Sequence, residues 1–224
     1  IEFQGEEYLF YKSFPLDVAL LRGTIADENG NISFANESVM NEGLSVATAA
    51  HNSGGIVIVQ VEYLAKKGTL NPKDVRIPGI LVDYVVQATS QDACWQTEGV
   101  YYDPSFSGQI KKPLSELPVL DLSPRKIICR RAAMEVRRGA VGNDVSAIVS
   151  EEGYTDEITI VAEAGGVGGV PAALPNFGSN YNAECIMVHN DMFDFIDGGG
   201  VDITFLGLAQ ADKHGNLKDS KFGK

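Results

Sequence analysis

The stretch that most directly indicates the fold is Ile56-Val57-Ile58-Val59-Gln60-Val61, a nearly unbroken run of β-branched residues. Runs of this kind are typical of strands that are covered on both faces, as in parallel sheets. A similar run extends from Ile80 to Val86, and a shorter apolar stretch, from Asp17 to Leu21, lies upstream. We therefore predict three strands in this part of the chain.

Between the first two of these strands the sequence is rich in Ala and predicts a helix up to Ala50. Asn36 and Ser38 are both candidates for its N-cap, because their side-chain oxygens can accept from free helix N–H groups. The stretch Asn52-Ser53-Gly54-Gly55 has the composition of a helix stop, since Gly and Asn tolerate left-handed backbone. Strands alternating with helical stretches predict an α/β fold.

Composition excludes several classes of protein. The chain has 224 residues with 44% apolar residues, enough for a substantial core. No apolar run approaches the roughly 20 residues of a membrane span, and no signal-peptide pattern is present, so a cytoplasmic protein without membrane contact is predicted. A formal charge of -12 argues against nucleic acid as a partner. Three widely spaced Cys and three His lack the spacing of metal ligands, so no metal is predicted.

A change of composition marks the predicted domain boundary. Four prolines fall between Asp103 and Pro124, where periodicity is lost. We assign 1–110 to a first α/β domain, 111–124 to a linker over the surface, and 125–224 to a second α/β domain. Both are predicted as open α/β domains with mostly parallel sheets.

The second predicted domain begins with a helix. Ser123-Pro124 matches an N-cap followed by Pro at the first helical position, and Gly139 falls just past the end. An apolar face is formed by Cys129, Ala132, Ala133 and Val136. Lys126, Arg130 and Arg137 lie on another face, which is ordinarily a solvated basic face and alternatively a phosphate-binding patch.

One strand-turn unit occurs twice. Residues 17–21 align without gaps to residues 202–206, and at the same offset Ala26-Asp27-Glu28-Asn29-Gly30-Asn31 aligns to Ala211-Asp212-Lys213-His214-Gly215-Asn216. Turns reuse Asp, Asn and Gly for local hydrogen bonding, so chance similarity is one explanation. Duplicated domains that face each other across a cleft are the other.

The candidate chemistry lies around Glu163. Residues 157–162 predict a strand, Glu163 stands at its end, and four glycines follow within five positions: Gly165, Gly166, Gly168 and Gly169. Ligand chemistry in parallel α/β sheets gathers at the carboxyl ends of strands. Glycines let backbone N–H groups approach a ligand that develops negative charge. Pro171 stands where a dinucleotide fingerprint needs its third glycine, and no P-loop is present.

Taken alone, Glu163 could also be a solvated carboxylate before a turn. The longer pattern is more specific. It joins residues 163–171 to Phe177-Gly178, Tyr181-Asn182, residues 193–200, residues 205–216 and Ser220-Lys221-Phe222-Gly223, and it extends upstream through residues 5–11, Arg22-Gly23-Thr24, residues 52–55 and residues 130–135. In this order, these motifs closely resemble the class I CoA-transferases, and within them the propionate and acetate CoA-transferase branch.

The resemblance implies an enzyme of short-chain acyl-CoA metabolism that moves CoA between an acyl-CoA and a free carboxylate. It implies Glu163 as the nucleophile, a glutamyl-CoA thioester as intermediate and ping-pong kinetics. Asn216 is implied to orient the glutamate, and the four glycines after Glu163 to shape the CoA and oxyanion pocket. CoA is implied as a co-substrate with no tightly bound cofactor, and the assembly as a homo-oligomer.

Two features differ from the family pattern. Family members continue a Gly-Ala-Val-x-Asn stretch into a Gly-Ile-Gly-x-Pro loop, whereas here Asn143 passes directly into Asp144-Val145-Ser146. Family members also carry an N-terminal portion with another Gly-rich loop and a further Gly-rich segment after the position of Lys224. This chain starts without Met inside a strand-like stretch and ends after Phe222-Gly223-Lys224, which predicts a fragment. Two alternatives to a transferase stay open: a non-catalytic module that binds CoA or a partner, and an acyl-CoA hydrolase.

Overall fold

A computed structural model describes residues 1–143 and 146–218. The chain divides into two compact units. The first comprises Ile1–Glu37 and Glu42–Cys94, and the second comprises Ser38–Asn41 and the chain from Trp95 onward. Residues 111–124 lie within the second of these units, and their role as a linker between two domains stays a prediction. Whether the units are duplicated domains stays a prediction.

The first unit contains a parallel sheet, a mixed sheet, a hairpin and one α-helix. Its elements are β1 (Glu2–Phe3), β2 (Glu6–Glu7), β3 (Val18–Arg22), β4 (Ile25–Asp27), β5 (Ile32–Ser33), α1 (Gly43–Asn52), β6 (Ile56–Val61), β7 (Tyr63–Ala65), β8 (Val75–Ile77) and β9 (Tyr84–Gln87). The parallel sheet has the order β3-β6-β9, the mixed sheet has the order β7-β4-β5-β8, and β1 pairs with β2.

Helix α1 covers one face of the parallel sheet. Ala47 and Ala50 of the helix form a core with Ala19, Val57 and Val59, all of which are at most 2% exposed. Small helix residues let α1 approach the sheet closely, and each buried Val contributes about 1.5 to 3 kcal/mol to folding. The parallel α/β arrangement predicted for this region is confirmed.

Two local predictions in the first unit are wrong. Helix α1 begins at Gly43 after Glu42, not after Asn36 or Ser38, because Thr24 and Ser33 side chains hydrogen-bond the backbone of residues 35 and 36 and hold it in a turn. The apolar run from Ile80 to Val86 is not one strand. A 3₁₀ turn over Gly79–Leu81 precedes β9, and Asp83 between them accepts from the Val57 N–H at 2.8 Å.

The second unit is built from shorter elements. These are α2 (Pro124–Ala133), β10 (Val141–Asn143), α3 (Ser146–Glu151), β11 (Thr159–Ile160), β12 (Gly166–Val167), β13 (Val170–Pro171), β14 (Asn180–Tyr181), β15 (Cys185–Ile186), α4 (His189–Phe195), β16 (Ile203–Thr204), β17 (Gln210–Ala211) and β18 (Leu217–Lys218). Strands β11-β10-β16 form a parallel sheet, while β12-β15, β13-β14 and β17-β18 are antiparallel pairs. The described part of the chain is therefore a mixed α/β fold, in which both three-stranded sheets are parallel throughout.

Helix α2 starts as predicted, with the Ser123 hydroxyl accepting from the Lys126 N–H at 3.2 Å. Cys129, Ala132 and Ala133 pack against the core of this unit, but the helix ends at Ala133, so Val136 lies beyond it. The solvated basic face is wrong for Lys126. Its side chain is 7% exposed and forms an ion pair with Glu151 at 2.5 Å.

Residues 103–112 are attached to β14 by a set of polar contacts. The Lys112 N–H donates to Asn182 Oδ1 at 2.7 Å, and Asn182 Nδ2 donates back to the Lys112 carbonyl at 2.8 Å. The Phe106 ring packs on Tyr181 with centroids 4.5 Å apart. Burial first, and then the nearby Asp103, raise the pKa of the Tyr181 hydroxyl. The Pro-containing segment is therefore anchored at this point by specific bonds.

In residues 1–143 and 146–218, no helix combines the length and the apolar character that crossing a membrane requires.

Candidate active site

Glu163 lies at the tip of a tight turn that follows β11. The Gly165 N–H donates to the Ala162 carbonyl at 2.9 Å, and the Ala162 N–H donates to the Gly166 carbonyl at 2.8 Å. Val161 then forms a bridge with Val167, so the chain reverses within five residues. The strand before Glu163 is shorter than the predicted 157–162, because its end is drawn into this reversal. Glu163 is half-buried, at the carboxyl end of a parallel strand.

The glycines after Glu163 permit close backbone packing. Gly165 has φ +114°, and a Cβ built there would lie 2.1 Å from the Met187 carbonyl oxygen. A Cβ on Gly169, which has φ +69°, would lie 2.2 Å from the Tyr181 carbonyl oxygen. Real Cβ atoms do not approach oxygen so closely, so any larger residue would displace the turn. The glycines thus position Glu163 by letting its turn lie directly on the neighbouring strands.

The N–H groups of two of these glycines are already bonded. The Gly165 N–H is held by the Ala162 carbonyl, and the Gly168 N–H donates to the Ile160 carbonyl at 2.7 Å. These two amides cannot serve as oxyanion donors in this conformation. The glycine-rich sequence predicts that backbone N–H groups of this loop donate to a ligand. It does not indicate how many of these N–H groups are used by hydrogen bonds within the turn itself.

Asn180 is a site residue that the sequence did not identify. Asn180 is 2% exposed, and its side chain packs against Gly166 so closely that a Cβ built on this glycine would lie only 2.5 Å from it. Asn180 Nδ2 donates to the Gly168 carbonyl at 3.2 Å, which links β14 to the glycine loop. Asn180 Oδ1 is buried and accepts no hydrogen bond from the described residues. In the sequence, Gly166 indicates that some group packs closely against the loop, but nothing there identifies this group as Asn180.

The loop between β13 and β14 contacts the turn of Glu163. A Cβ at Gly178 would lie 3.4 Å from the Ala164 Cβ, an ordinary van der Waals distance. The predicted Phe177-Gly178 motif is therefore adjacent to the candidate nucleophile. The Phe177 side chain is 66% exposed beside it.

Asn216 lies in a self-contained turn. Its side-chain Nδ2 donates to Asp212 Oδ2 at 2.8 Å, and its N–H donates to Asp212 Oδ1 at 3.0 Å. The first of these bonds, followed by the bonds from the Asn216 and His214 backbones, lowers the pKa of Asp212. Across 1–143 and 146–218, no hydrogen bond joins Asn216 to Glu163. Each predicted residue is thus placed, but the structure does not bring them into direct contact.

A cavity of about 630 Å³ lies elsewhere in the second unit. Its walls include Leu117, Leu120, Val170 and Leu174, together with the Lys126–Glu151 ion pair. Neither Glu163 nor the four glycines line it. This cavity and the candidate nucleophile are therefore in different places, and the geometry of the turn is the better guide to chemistry.

A search of residues 1–143 and 146–218 finds no group of three or more His, Cys, Asp or Glu side chains arranged to hold a metal ion. Three predicted features lie outside the described residues. The first is Asp144-Val145, where the sequence after Asn143 differs from the family pattern. The others are the Ser220-Lys221-Phe222-Gly223 motif and the chain end at Lys224.

These elements define an α/β protein with a carboxylate on a glycine-supported turn at a strand end. The chain belongs to the coenzyme A transferase family. A family model described as Coenzyme A transferase matches residues 1–88. A caffeate CoA-transferase from Acetobacterium woodii is 65% identical over 229 residues, which cover 99% of this chain and 44% of that protein. Acetate CoA-transferase YdiF from Escherichia coli (strain K12) is 39% identical, with 99% of this chain and 43% of that protein covered.

Solved structures agree with this assignment. The crystal structure of the acyl-CoA transferase YdiF apoenzyme from Escherichia coli O157:H7 superposes with a TM-score of 0.84 at 38% identity, covering 99% of this chain and 42% of that one. A thioester complex of the same transferase with CoA gives a TM-score of 0.83. The chain spans less than half the length of these relatives.

Proposed function

We propose that the protein transfers CoA from an acyl-CoA to a free carboxylate, with Glu163 as the nucleophile. The observation that carries this proposal is the placement of Glu163: half-buried, at the tip of a turn after a parallel strand, on glycines that admit no side chain. A carboxylate in such a place can meet a thioester while its backbone stays fixed. The family assignment supports the same reaction.

The reaction proceeds by exchange of acyl groups without oxidation or reduction. A Glu163 oxygen attacks the thioester carbon, the C–S bond breaks, and CoA leaves as a thiolate, which gives a mixed anhydride. The thiolate then attacks the Glu163 carbonyl carbon, and the donor acid leaves as a carboxylate. A glutamyl-CoA thioester remains. An acceptor carboxylate reverses these steps and leaves as the new acyl-CoA.

Each addition places negative charge on a carbonyl oxygen, and one well-placed donor lowers such a barrier by about 2.7 to 4 kcal/mol. Because the Gly165 and Gly168 amides are bonded internally, we assign these glycines the role of shaping the pocket floor. The amides of Gly166 and Gly169 are the loop donors to test. Asn216 can contribute as well, since Nδ2 has two hydrogens and Asp212 uses one of them.

Two classes of acid are candidate substrates. The similarity to an acetate CoA-transferase at 39% identity supports short-chain acids, such as acetate and propionate. The similarity to a caffeate CoA-transferase at 65% identity supports an aromatic acid as a second candidate. Comparing kcat/KM for acetate, propionate and caffeate as acceptors distinguishes them. We also propose a cytoplasmic homo-oligomer, which sedimentation of the purified protein and fractionation of its host can test.

The deciding experiment traps the covalent intermediate. The full-length protein is incubated with acetyl-CoA and then with borohydride, which reduces the glutamyl thioester to an alcohol and lowers the mass of the peptide that contains Glu163. We expect this mass change at Glu163 and at no other carboxylate. Glu163→Gln should lower the transfer rate by about a thousand-fold or more, because the nucleophile is lost.

Glu184→Gln is the matched control. Glu184 is an exposed carboxylate whose Cγ lies 2.8 Å from the position of a Cβ on Gly168, so it borders the same loop. We expect it to retain activity and the mass change. An unmodified Glu163 peptide in a folded, full-length protein would refute the proposal. Release of CoA that does not depend on an acceptor acid would indicate a hydrolase instead.

A further inference from the structure

The chain that returns from the Glu163 turn has almost no side chains of its own. We call residues 165–169 the return segment, and four of these five residues are glycine. The register of a Gly-rich strand is weakly specified, because few side chains resist a slip along the neighbouring strand. A slip by one residue would change the length of the turn and move Glu163 away from its tip. Contacts from outside the hairpin must therefore hold the register.

Two hydrogen bonds define the register of the return segment. The Ala162 N–H donates to the Gly166 carbonyl at 2.8 Å, and the Gly168 N–H donates to the Ile160 carbonyl at 2.7 Å. Gly166 and Gly168 are thus the residues through which the return segment is attached to the chain that leads to Glu163. Any group that fixes these two glycines also fixes the position of the turn.

Asn180 contacts both of these glycines. A Cβ built on Gly166 would lie 2.5 Å from the Cγ and Nδ2 atoms of Asn180, so the amide packs directly on this glycine. Asn180 Nδ2 also donates to the Gly168 carbonyl at 3.2 Å. Asn180 is 2% exposed and lies on β14, which pairs with the strand that directly follows the return segment. Asn180 therefore supplies the packing and the bond that the return segment lacks.

The hydrogen bond from Asn180 fixes position more than it adds stability. Asn180 Oδ1 is buried and accepts no hydrogen bond from the described residues. Turning the amide over would place this oxygen against the Gly168 carbonyl, which is another acceptor. The side chain thus satisfies one buried acceptor while leaving its own oxygen unpaired, so its net contribution to stability is small. A residue of this kind, which breaks a rule of stable packing, is typical of a functional site.

We propose that Asn180 is a positioning residue for CoA transfer, which locks the register of the return segment and so keeps Glu163 at the tip of its turn. This inference rests on the proposed function of Glu163. Because Asn180 is buried, it acts on the reaction through the hairpin and not by contact with the substrate. Without it, acyl-CoA still binds, but Glu163 spends less time where it can attack the thioester.

Asn180→Ala in the full-length protein tests this inference, because it removes both the bond and the packing. We expect kcat to fall by about ten-fold to a hundred-fold with the KM for acyl-CoA unchanged, since a displacement of about 1 Å can cost a hundred-fold in rate. The kcat value is expressed per molecule that forms the Glu163 thioester on long incubation with acetyl-CoA. Hydrogen exchange of peptides that cover residues 160–169 should become several-fold faster, because the bonds at Ala162 and Gly168 open more often.

Asn182→Gly is the matched control. Asn182 lies two residues further along the chain, has φ +58°, and forms two hydrogen bonds with the Lys112 backbone. Glycine tolerates this left-handed backbone, so only the side-chain bonds are lost. We expect the control to be at least as destabilised as Asn180→Ala in thermal unfolding, with kcat and the exchange of residues 160–169 unchanged. An equal fall of kcat in both variants would show a general effect of stability and overturn the inference.

Asn180→Asp tests the hydrogen bond alone, and it also serves if Asn180→Ala does not fold. This variant keeps the size of the side chain, but its carboxylate has no hydrogen to donate to the Gly168 carbonyl. We expect a fall of kcat similar to that of Asn180→Ala. Unchanged kcat in either folded variant, or fast exchange of the Ala162 and Gly168 N–H groups in the wild type, would overturn this inference while the Glu163 thioester still forms. Absence of the thioester in the wild type would instead refute the proposed function, and this inference with it.

Discussion

The two Asx-Gly turns of the chain have the same internal bonding in different surroundings. In the first, Asp27 Oδ1 accepts from the N–H groups of Asn29 and Asn31, and Asp27 Oδ2 accepts from Asn31 Nδ2 at 3.0 Å. In the second, Asp212 accepts from His214 and Asn216 in the same pattern. The sequence repeat is therefore also a repeat of local geometry.

The Asp and Asn side chains of the two turns differ in their burial and in their contacts with the rest of the protein. Asp27 is 4% exposed, and Asn31 Oδ1 accepts from the Gly79 N–H at 2.9 Å, which ties the first turn to its unit. Asp212 is exposed, and no donor in residues 1–143 and 146–218 reaches Asn216 Oδ1. The comparison shows that one local sequence can form a structural anchor in one place and leave its amide available in another. This availability is what allows a role for Asn216 in catalysis.

The largest expected difference concerns the aspartates. Asp27→Ala removes a buried carboxylate that accepts from the N–H groups of Asn29 and Asn31 and from Asn31 Nδ2, so we expect a loss of about 3 kcal/mol in the unfolding free energy of the first unit. Asp212→Ala removes the same bonds in water, which replaces them, and its effect should fall within experimental error. Hydrogen exchange of peptides that cover each turn measures both. Equal losses would show that burial does not separate the two turns.

The asparagines separate structure from catalysis. If Asn216 orients Glu163 or donates to the oxyanion, Asn216→Ala should lower kcat about ten-fold with KM unchanged, since roughly 1.4 kcal/mol is lost in the transition state alone. Asn31→Ala is the matched control, because it removes the same turn bond, and it should leave kcat unchanged in the folded protein. Steady-state kinetics on the full-length protein provide the test. An equal decrease in both variants would make Asn216 a structural residue.

The glycines should respond alike. Gly30 has φ +80° and Gly215 has φ +85°, and a Cβ at either position meets no atom closer than 3.5 Å. The expected cost of Ala is therefore the left-handed backbone alone, about 1 kcal/mol at each turn. Urea denaturation of the two variants measures it. A much larger loss at Gly30 would mean that the buried turn cannot adjust to a side chain, which would widen the contrast between the turns.

The two turns also show which structural features could be predicted from the sequence alone. Asp, Asn and Gly at fixed offsets specify a turn through contacts within five residues, so both turns could be predicted. The start of α2 at Ser123-Pro124 could be predicted for the same reason. The strand run 56–61 predicts a parallel α/β sheet because its pattern reflects burial directly. Local chemistry was sufficient in each of these cases.

Other features depend on contacts that are distant in sequence. Lys126 has the sequence context of a surface residue, yet Glu151 and the Leu120 carbonyl draw it into a buried site. The placement of Glu163 at a strand end is visible in the sequence, whereas the burial of Asn180 against Gly166 depends on the pairing of β13 with β14. Neither contact has a signature within its own segment. A candidate nucleophile can thus be found from sequence before the residues that support it.

The smallest expected effect is on the acidity of the two aspartates. Burial by itself would raise the pKa of Asp27, but hydrogen bonds, led by the one from Asn31, bring it below its ordinary value. The pKa of Asp212 is lowered as well, mainly by the bond from the Asn216 side chain. Both carboxylates therefore stabilise the fold fully above the ordinary Asp pKa of about 4, and this stabilisation is lost as the pH falls through their lowered folded values.

Removing the side-chain amides of Asn31 and Asn216 should therefore raise the pKa of the two aspartates by different amounts, because only Asp27 is buried. In Asn216→Ala, the pKa of Asp212 should rise towards its ordinary value without reaching it, because the side-chain bond is lost while the backbone N–H groups of residues 214, 215 and 216 still donate to the exposed carboxylate. In Asn31→Ala, the pKa of Asp27 should rise further, since burial then opposes ionisation with one fewer bond against it. Carboxyl ¹³C NMR titration of both variants gives these values. A rise of Asp212 beyond its ordinary pKa would show that the second turn is shielded from water in the full-length protein, and would place Asn216 in a buried site.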